Sequence, residues 1–350
     1  MTRIEDGTYL AWLARETPTA WWHDSADPAE AERAIGRGAV GATTNPLLSY
    51  VSLVANRDRW EEEIREAVSR SVAAERRAEE LLRIPVVRTA ERFLPEHERA
   101  GGASGFVCAQ VNPNRPGDRQ SMLEAAKRYH RWAPNIAVKL PATAAGLDVL
   151  EDVLSQGITA TATVSFTVPQ VVAVAERCRA AIRRARAAGV TPGRCFAVLM
   201  VGRLDDYLRD VALESRAGVG EDDVRKAGIA VTKRAYAIYR ERGYEATLLV
   251  AALRGNYHVT EIAGARLIVS IFPPYQESLL AAELPREEKI DEPVDAGAVE
   301  RLSRLCEFRR AYEPDGMEPS EFIAYGATQR TLAQFAEMGW NQLERYAAGR

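Results

Sequence analysis

Asn135-Ile136-Ala137-Val138-Lys139-Leu140-Pro141-Ala142-Thr143 is a short apolar run with polar ends and a single lysine inside it. It lacks the polar alternation of a strand with one wet face, so it reads as a parallel strand buried on both faces. Seven further runs share this character, at residues 20–25, 39–45, 105–111, 159–164, 194–201, 246–253 and 266–273. Helical patterns lie between them, at 28–37, 59–83, 121–131, 145–156, 169–188, 221–242 and 258–263. Eight strands alternating with helices predict an α/β fold, a single (β/α)8 TIM barrel. A doubly wound sheet uses the same alternation, but eight units in this length favour closure. Residues 294–350 read as two or three more helices outside the barrel. The expected organisation is therefore one domain over 1–350, with the barrel at about 18–293 and a C-terminal helical extension.

Composition narrows the function. Apolar residues make up 47% of the 350, enough for a large core. Lys and Arg number 46 against 49 acidic residues, for a net charge of −3 with no block of one sign. A generic nucleic-acid surface is thereby excluded. No stretch reaches the roughly 18–20 apolar residues of a membrane helix. Met1-Thr2-Arg3-Ile4-Glu5-Asp6-Gly7 lacks the pattern of a signal peptide. The four cysteines have no CxxC spacing, and with four histidines no zinc pattern emerges. A soluble, reduced, cytoplasmic protein without a metal is expected.

Gly36-Arg37-Gly38-Ala39-Val40-Gly41 satisfies GxGxxG, but it follows a helix and leads into a strand. Dinucleotide binding needs the reverse order, so the motif reads as a helix end and a turn.

In a barrel the chemistry gathers at the C-terminal ends of the strands. Those ends carry Asp24, Thr43-Thr44-Asn45-Pro46, Gln110, Lys139, Thr163, Arg203 and Arg254. Nothing there supplies three convergent metal ligands, nor a Ser or Cys nucleophile with a His base. A lysine inside a doubly buried strand is costly unless paired or used. Desolvation would leave part of Lys139 as free amine, able to attack a carbonyl and form a Schiff base. Snorkelling at the strand end, or pairing with Asp24, accounts for it equally well. Arg203 and Arg254 suit a phosphate or carboxylate, although each alone reads as a surface ion pair. Asp24 is a candidate acid/base for a substrate hydroxyl, or else a helix cap, a role that Asp27 before Pro28 fits better. His23 should face away from the barrel interior. His258 is a weaker candidate for the neighbourhood of the site.

In this order these residues resemble the transaldolases, over almost the whole chain. The most specific element is Gly41-Ala42-Thr43-Thr44-Asn45-Pro46, followed by Val138-Lys139-Leu140-Pro141-Ala142-Thr143 with Gly146 and Gly157-Ile158. Val201-Gly202-Arg203 and the Arg254 to Ala263-Gly264 segment match the phosphate region, and Phe308-Arg309, Asp315, Met317, Gly326, Phe335 and Leu343-Glu344 match the helical tail of the longer branch.

The resemblance implies a cofactor-free barrel moving a dihydroxyacetone unit between sugar phosphates, in the pentose phosphate pathway. Fructose 6-phosphate or sedoheptulose 7-phosphate would be the donor. Lys139 would form the Schiff base and Asp24 would take the C4 hydroxyl proton. Thr43 and Asn45 would hold the dihydroxyacetone part, Thr163 would help place a water, and Arg203 and Arg254 would hold phosphate. It also implies homodimers, for which the tail offers an interface.

Five positions depart from the family pattern. Gln110 stands where transaldolases carry a glutamate, as in the related fructose-6-phosphate aldolases, whose tyrosine after strand six is here Met200. Val198 and Ala252 replace serines, and Thr161 replaces an asparagine that binds the donor. Three readings stay open: a transaldolase, a specialised aldolase or transaldolase for another sugar, and a sugar-phosphate-binding protein without turnover.

Overall fold

Each of the eight apolar runs forms a parallel strand, and the strands close into a barrel in chain order in the computed structural model, which describes residues 7–70 and 73–346. They are β1 (Ala20–Asp24), β2 (Ala42–Thr43), β3 (Val107–Gln110), β4 (Ile136–Pro141), β5 (Ala160–Thr163), β6 (Cys195–Met200), β7 (Thr247–Ala251) and β8 (Ile268–Ile271). β8 pairs with β1, placing Ser270 opposite Trp22. The predicted (β/α)8 architecture is the observed one.

Aromatic rings crossing the lumen identify the inward face. Trp22 meets Phe196 edge-on with centroids 4.8 Å apart, and Phe106 lies 5.7 Å from the same ring. β1 and β6 are not neighbours in the sheet, so these rings meet through the interior. They form an apolar floor. Counting upward by twos from it, the strand period puts Asp24, Cys108, Gln110, Val198 and Met200 on the same inward face. Gly41 is required here: a Cβ on it would lie 2.6 Å from the Trp22 indole.

Several boundaries differ from expectation. The strand expected at 39–45 contracts to Ala42–Thr43, because Asn45 turns the chain into the helix Pro46–Ala55. The helix expected at 59–83 is two, Glu61–Arg70 and Ala74–Arg99. The second runs through Pro85 and Pro95. Its stripe of Leu81, Leu82, Val86, Ala90 and Phe93 is buried, and that packing overrides the proline penalty. The helix expected at 221–242 also divides, into Glu221–Val224 and Ala227–Arg242. Helices at Tyr9–Glu16, Val201–Ser215 and Pro273–Ala281 were not anticipated. Gly36 ends the helix Pro28–Gly36, and Gly38 follows in the left-handed region (φ 100°), so GxGxxG is a helix end as read.

Beyond β8 the extension forms helices Ala296–Leu302, Cys306–Tyr312 and Gly326–Phe335, then a π-helical turn Ala336–Trp340 and a last helix Asn341–Arg345. It reaches two sides of the barrel mouth. A Cβ on Gly326 would lie 2.5 Å from the Tyr207 ring, in the helix after β6. One on Gly339 would lie 2.4 Å from the Leu47 nitrogen, in the helix after β2. Asn114, beyond β3, donates to Asn341 Oδ1 at 2.8 Å. The segment between these anchors therefore spans from the β6 side to the β2–β3 side.

Candidate active site

Strand register brings the inward polar groups together. Gln110 stands opposite Lys139, and Lys139 opposite Thr161, in adjacent strands. Asp24 stands opposite Thr43.

Lys139 is 5% exposed, and its Nζ donates to the Thr44 carbonyl at 3.1 Å. Among the described residues no carboxylate ion-pairs with it, so neither snorkelling nor a pair with Asp24 describes it. Burial pushes its amine below the usual lysine range; the neighbouring Cys108 and Asp24 oppose that shift, and the Arg203 charge adds to it.

Asp24 accepts from Thr43 Oγ1 at 2.6 Å, and that hydroxyl lies 2.5 Å from Ser270 Oγ. With Thr43 donating to the carboxylate, Ser270 must donate to Thr43. Burial raises Asp24 above the ordinary carboxylate range, against the Thr43 hydrogen bond and the charges of Lys139 and Arg203. Burial thus drives acid and amine alike toward their neutral forms.

Gln110 Oε1 and Thr163 Oγ1 are buried without a protein partner. Buried orphans of this kind mark a place for water or ligand. Thr161 lies lower in the barrel, its hydroxyl 3.5 Å from Cys108 Sγ. Asn45 Oδ1 caps the helix Pro46–Ala55 by accepting from Leu48 N at 3.0 Å, which leaves its amide nitrogen for other contacts.

The arginines are held differently. Arg203, in the first turn of Val201–Ser215, donates to Gln334 Oε1, and its guanidinium carbon lies 5.1 Å from the Phe335 ring centroid. Burial and Arg254 lower its pKa to about 10, so it remains charged near neutral pH. Arg254 donates to Asp206 Oδ2 through Nε at 2.9 Å and Nη2 at 2.6 Å. His258 braces its backbone: Nδ1 accepts from Arg254 N at 3.0 Å, so Nε2 is the donor to Asp205 Oδ2 at 2.9 Å. Asp205 Oδ1 in turn accepts from Gly228 N at 2.8 Å. His258 is thus a support beneath the site.

His23 does face outward. Its Nδ1 accepts from Gln276, and burial lowers its pKa to about 3. Asp27 caps the helix Pro28–Gly36, which frees Asp24 from that role.

Two non-glycine residues at the mouth are left-handed, Val164 (φ 54°) after Thr163 and Ala252 (φ 59°) after β7. For a β-branched valine this is strained by about 1–3 kcal/mol. Gln170 holds the first turn, donating to the Val164 carbonyl at 3.2 Å and accepting from Phe166 N at 2.9 Å. Gly202 makes room for the second, since a Cβ on it would meet the Ala252 oxygen at 2.3 Å.

A barrel with one buried lysine lacking a carboxylate partner, a half-buried aspartate and two arginines at its mouth can be compared with known proteins. The family model described as Transaldolase/Fructose-6-phosphate aldolase matches residues 21–314. The chain belongs to the transaldolase/fructose-6-phosphate aldolase family. It is similar to a Transaldolase of Thiobacillus denitrificans, 31% identical over 336 residues, covering 91% of this chain and 90% of that protein. Shorter matches join it to Transaldolase 1 of Streptomyces avermitilis and a Transaldolase of Neisseria gonorrhoeae, each 29% identical. These cover 60% and 59% of this chain, and 57% and 58% of the relatives' own lengths.

Within this family frame, reading strand ends missed Ser270, Gln170, Asp206 and Gln334. Ser270 had a usable signal, being a polar residue in an apolar strand. The Asn45-Pro46 pair likewise announces the overlooked helix, as cap and first residue. Gln170, Asp206 and Gln334 sit on helices with no local mark. Among the described residues there is no group of three or more His, Cys, Asp or Glu placed to hold a metal, and no helix long and apolar enough to cross a membrane.

Proposed function

We propose that the chain is a transaldolase carrying a dihydroxyacetone unit between sugar phosphates through a Schiff base on Lys139. The observation that carries this reading is the state of Lys139: buried, without a carboxylate partner, and biased by burial toward free amine. The neutral amine attacks the ketose C2 carbonyl and water leaves, giving a protonated imine. That new positive charge favours the ionised form of the neighbouring Asp24, which the Thr43 hydrogen bond also stabilises. Asp24 then takes the C4 hydroxyl proton while the C3–C4 bond breaks, its electrons pass into the imine, and the aldose phosphate departs. Readdition to a second aldose phosphate and hydrolysis of the imine complete the cycle.

Asn45 and Thr43 face the dihydroxyacetone part, with Thr161 lower in the same pocket. Thr163 and Gln110, whose buried oxygens lack partners, place the water. Arg203 and Arg254 receive the phosphoryl group of the aldose. Fructose 6-phosphate and sedoheptulose 7-phosphate both present the required ketose and phosphate.

Borohydride reduction of the protein incubated with fructose 6-phosphate tests this. A dihydroxyacetone-sized adduct on Lys139, absent in Lys139→Ala, is expected. No adduct with either ketose phosphate would remove the proposal.

A second reading, an aldolase releasing free dihydroxyacetone, is favoured by Gln110. Its amide orients water but does not titrate near neutral pH. Dihydroxyacetone formed from fructose 6-phosphate without an acceptor aldehyde separates the two.

A further inference from the structure

Arg203 has a partner unlike that of Arg254. Arg254 faces a carboxylate, Asp206, which offsets its charge. Arg203 is held by a neutral amide oxygen, Gln334 Oε1, and by the Phe335 ring, neither of which neutralises it. Both holders belong to the extension, at the end of the helix Gly326–Phe335. Phe335 is fully buried and Gln334 half-buried.

The position of Gln334 is fixed from both sides. On one side Arg330 pairs with Asp210 at 2.5 Å and Gly326 packs on Tyr207, both partners lying in the helix that carries Arg203. On the other, the π-helical turn Ala336–Trp340 seats Gly339 against Pro46 and Leu47, directly after Asn45. π-Helical turns are rare and gather at functional sites.

We propose that Gln334 is a positioning residue of the phosphate site, through which the C-terminal extension sets affinity for the phosphoryl end of the substrate. Its amide oxygen takes one guanidinium N–H of Arg203, and the ring of Phe335 backs the guanidinium plane. The remaining donors are left for the anion, and the guanidinium stays positive in the fields of Asp24 and Asp206. A carboxylate at position 334 would hold Arg203 equally well but compete with phosphate for it. The inference rests on the sugar-phosphate reading above, yet its direct test needs no turnover.

The test is calorimetric binding of inorganic phosphate to the full chain, as wild type, Gln334→Ala and Gln334→Glu, with Arg203→Ala as reference. Gln334→Ala should weaken phosphate about fivefold or more, and Gln334→Glu tenfold or more. With fructose 6-phosphate both should raise KM with kcat held. A merely structural contact predicts the opposite for Gln334→Glu, which keeps the acceptor and would retain wild-type affinity. Wild-type phosphate affinity in Gln334→Glu, tighter binding in Gln334→Ala, or no phosphate binding by the wild type would each overturn the proposal. Altered phosphate binding with no borohydride adduct on Lys139 would instead sink the Schiff-base reading and leave Gln334 in its role.

Discussion

The two sides of the barrel mouth are built on different principles. On the β1–β5 side, Asp24, Thr43, Gln110, Lys139, Thr161 and Thr163 lie within strands, and their direction follows from the period of two and the register. On the β6–β7 side, Arg203 and Arg254 lie beyond their strands, on a helix and a loop, and are aimed by Gln334, Phe335 and Asp206 from elsewhere in the chain. A strand-borne group is positioned by backbone hydrogen bonds that no single side-chain change removes. A long arginine on a loop needs side-chain partners, so that side is the easier to retune.

Substitutions should separate the sides by kind as well as size. Lys139→Met should remove transfer activity by about 10⁴-fold or more, since no other group supplies the nucleophile. The same change removes a buried amine and should raise Tm by about 2–4 °C, read by calorimetry. A Tm that falls would mean Lys139 is structural. Asp24→Asn should lower kcat by about 10²–10⁴-fold with little change in KM, as expected of an acid/base group. A purely KM effect would place Asp24 with the binding groups. Arg254→Ala should act the other way, raising KM for fructose 6-phosphate about 10–100-fold through lost charged hydrogen bonds. If kcat fell instead, the division between the two sides would fail.

His23, on the outer face of β1, tests the strand-held side without touching the lumen. Its folded pKa of about 3 lies below the unfolded value of 6.5. Between them the unfolded chain binds more protons, so stability is lost as pH falls below 6.5. The slope from His23 should rise to ~1.4 kcal/mol per pH unit as pH falls from 6.5 to 5, measured by urea unfolding. In His23→Gln most of that slope should vanish; an unchanged slope would assign it to other groups. The smallest effect is Asp206→Asn, which releases Arg254 from a half-exposed ion pair. KM for the phosphorylated donor should drop about 2–5-fold, and a rise would mean that Asp206 aims the arginine more than it competes for it.

The strand-borne half of the site was readable from the sequence because buried parallel strands leave a plain trace. Polar residues standing in apolar runs, such as Lys139, Gln110 and Thr163, are conspicuous, and their place near a strand end gives their place at the mouth. Ser270 obeyed the same rule and was overlooked. The helix-borne partners left no such trace: Gln334 is one polar residue among many on an amphipathic helix, and Asp206 sits among other charges. The helix Ala74–Arg99 runs beyond the expected end at residue 83 for a related reason, since Pro85 disfavours a helix locally and burial against its neighbours overrides it.

Alternation of apolar runs with helical periods, together with the length of the chain, was enough to specify eight strands and a closed barrel, because those properties depend on local periodicity and short connections. What holds Lys139, which arginine is paired with a carboxylate and which segment backs Arg203 depend on contacts between residues far apart in the chain, 131 positions in the case of Arg203 with Gln334. Such contacts exist only once the chain has closed, because burial and the approach of distant charges are properties of the folded interior and leave no local pattern.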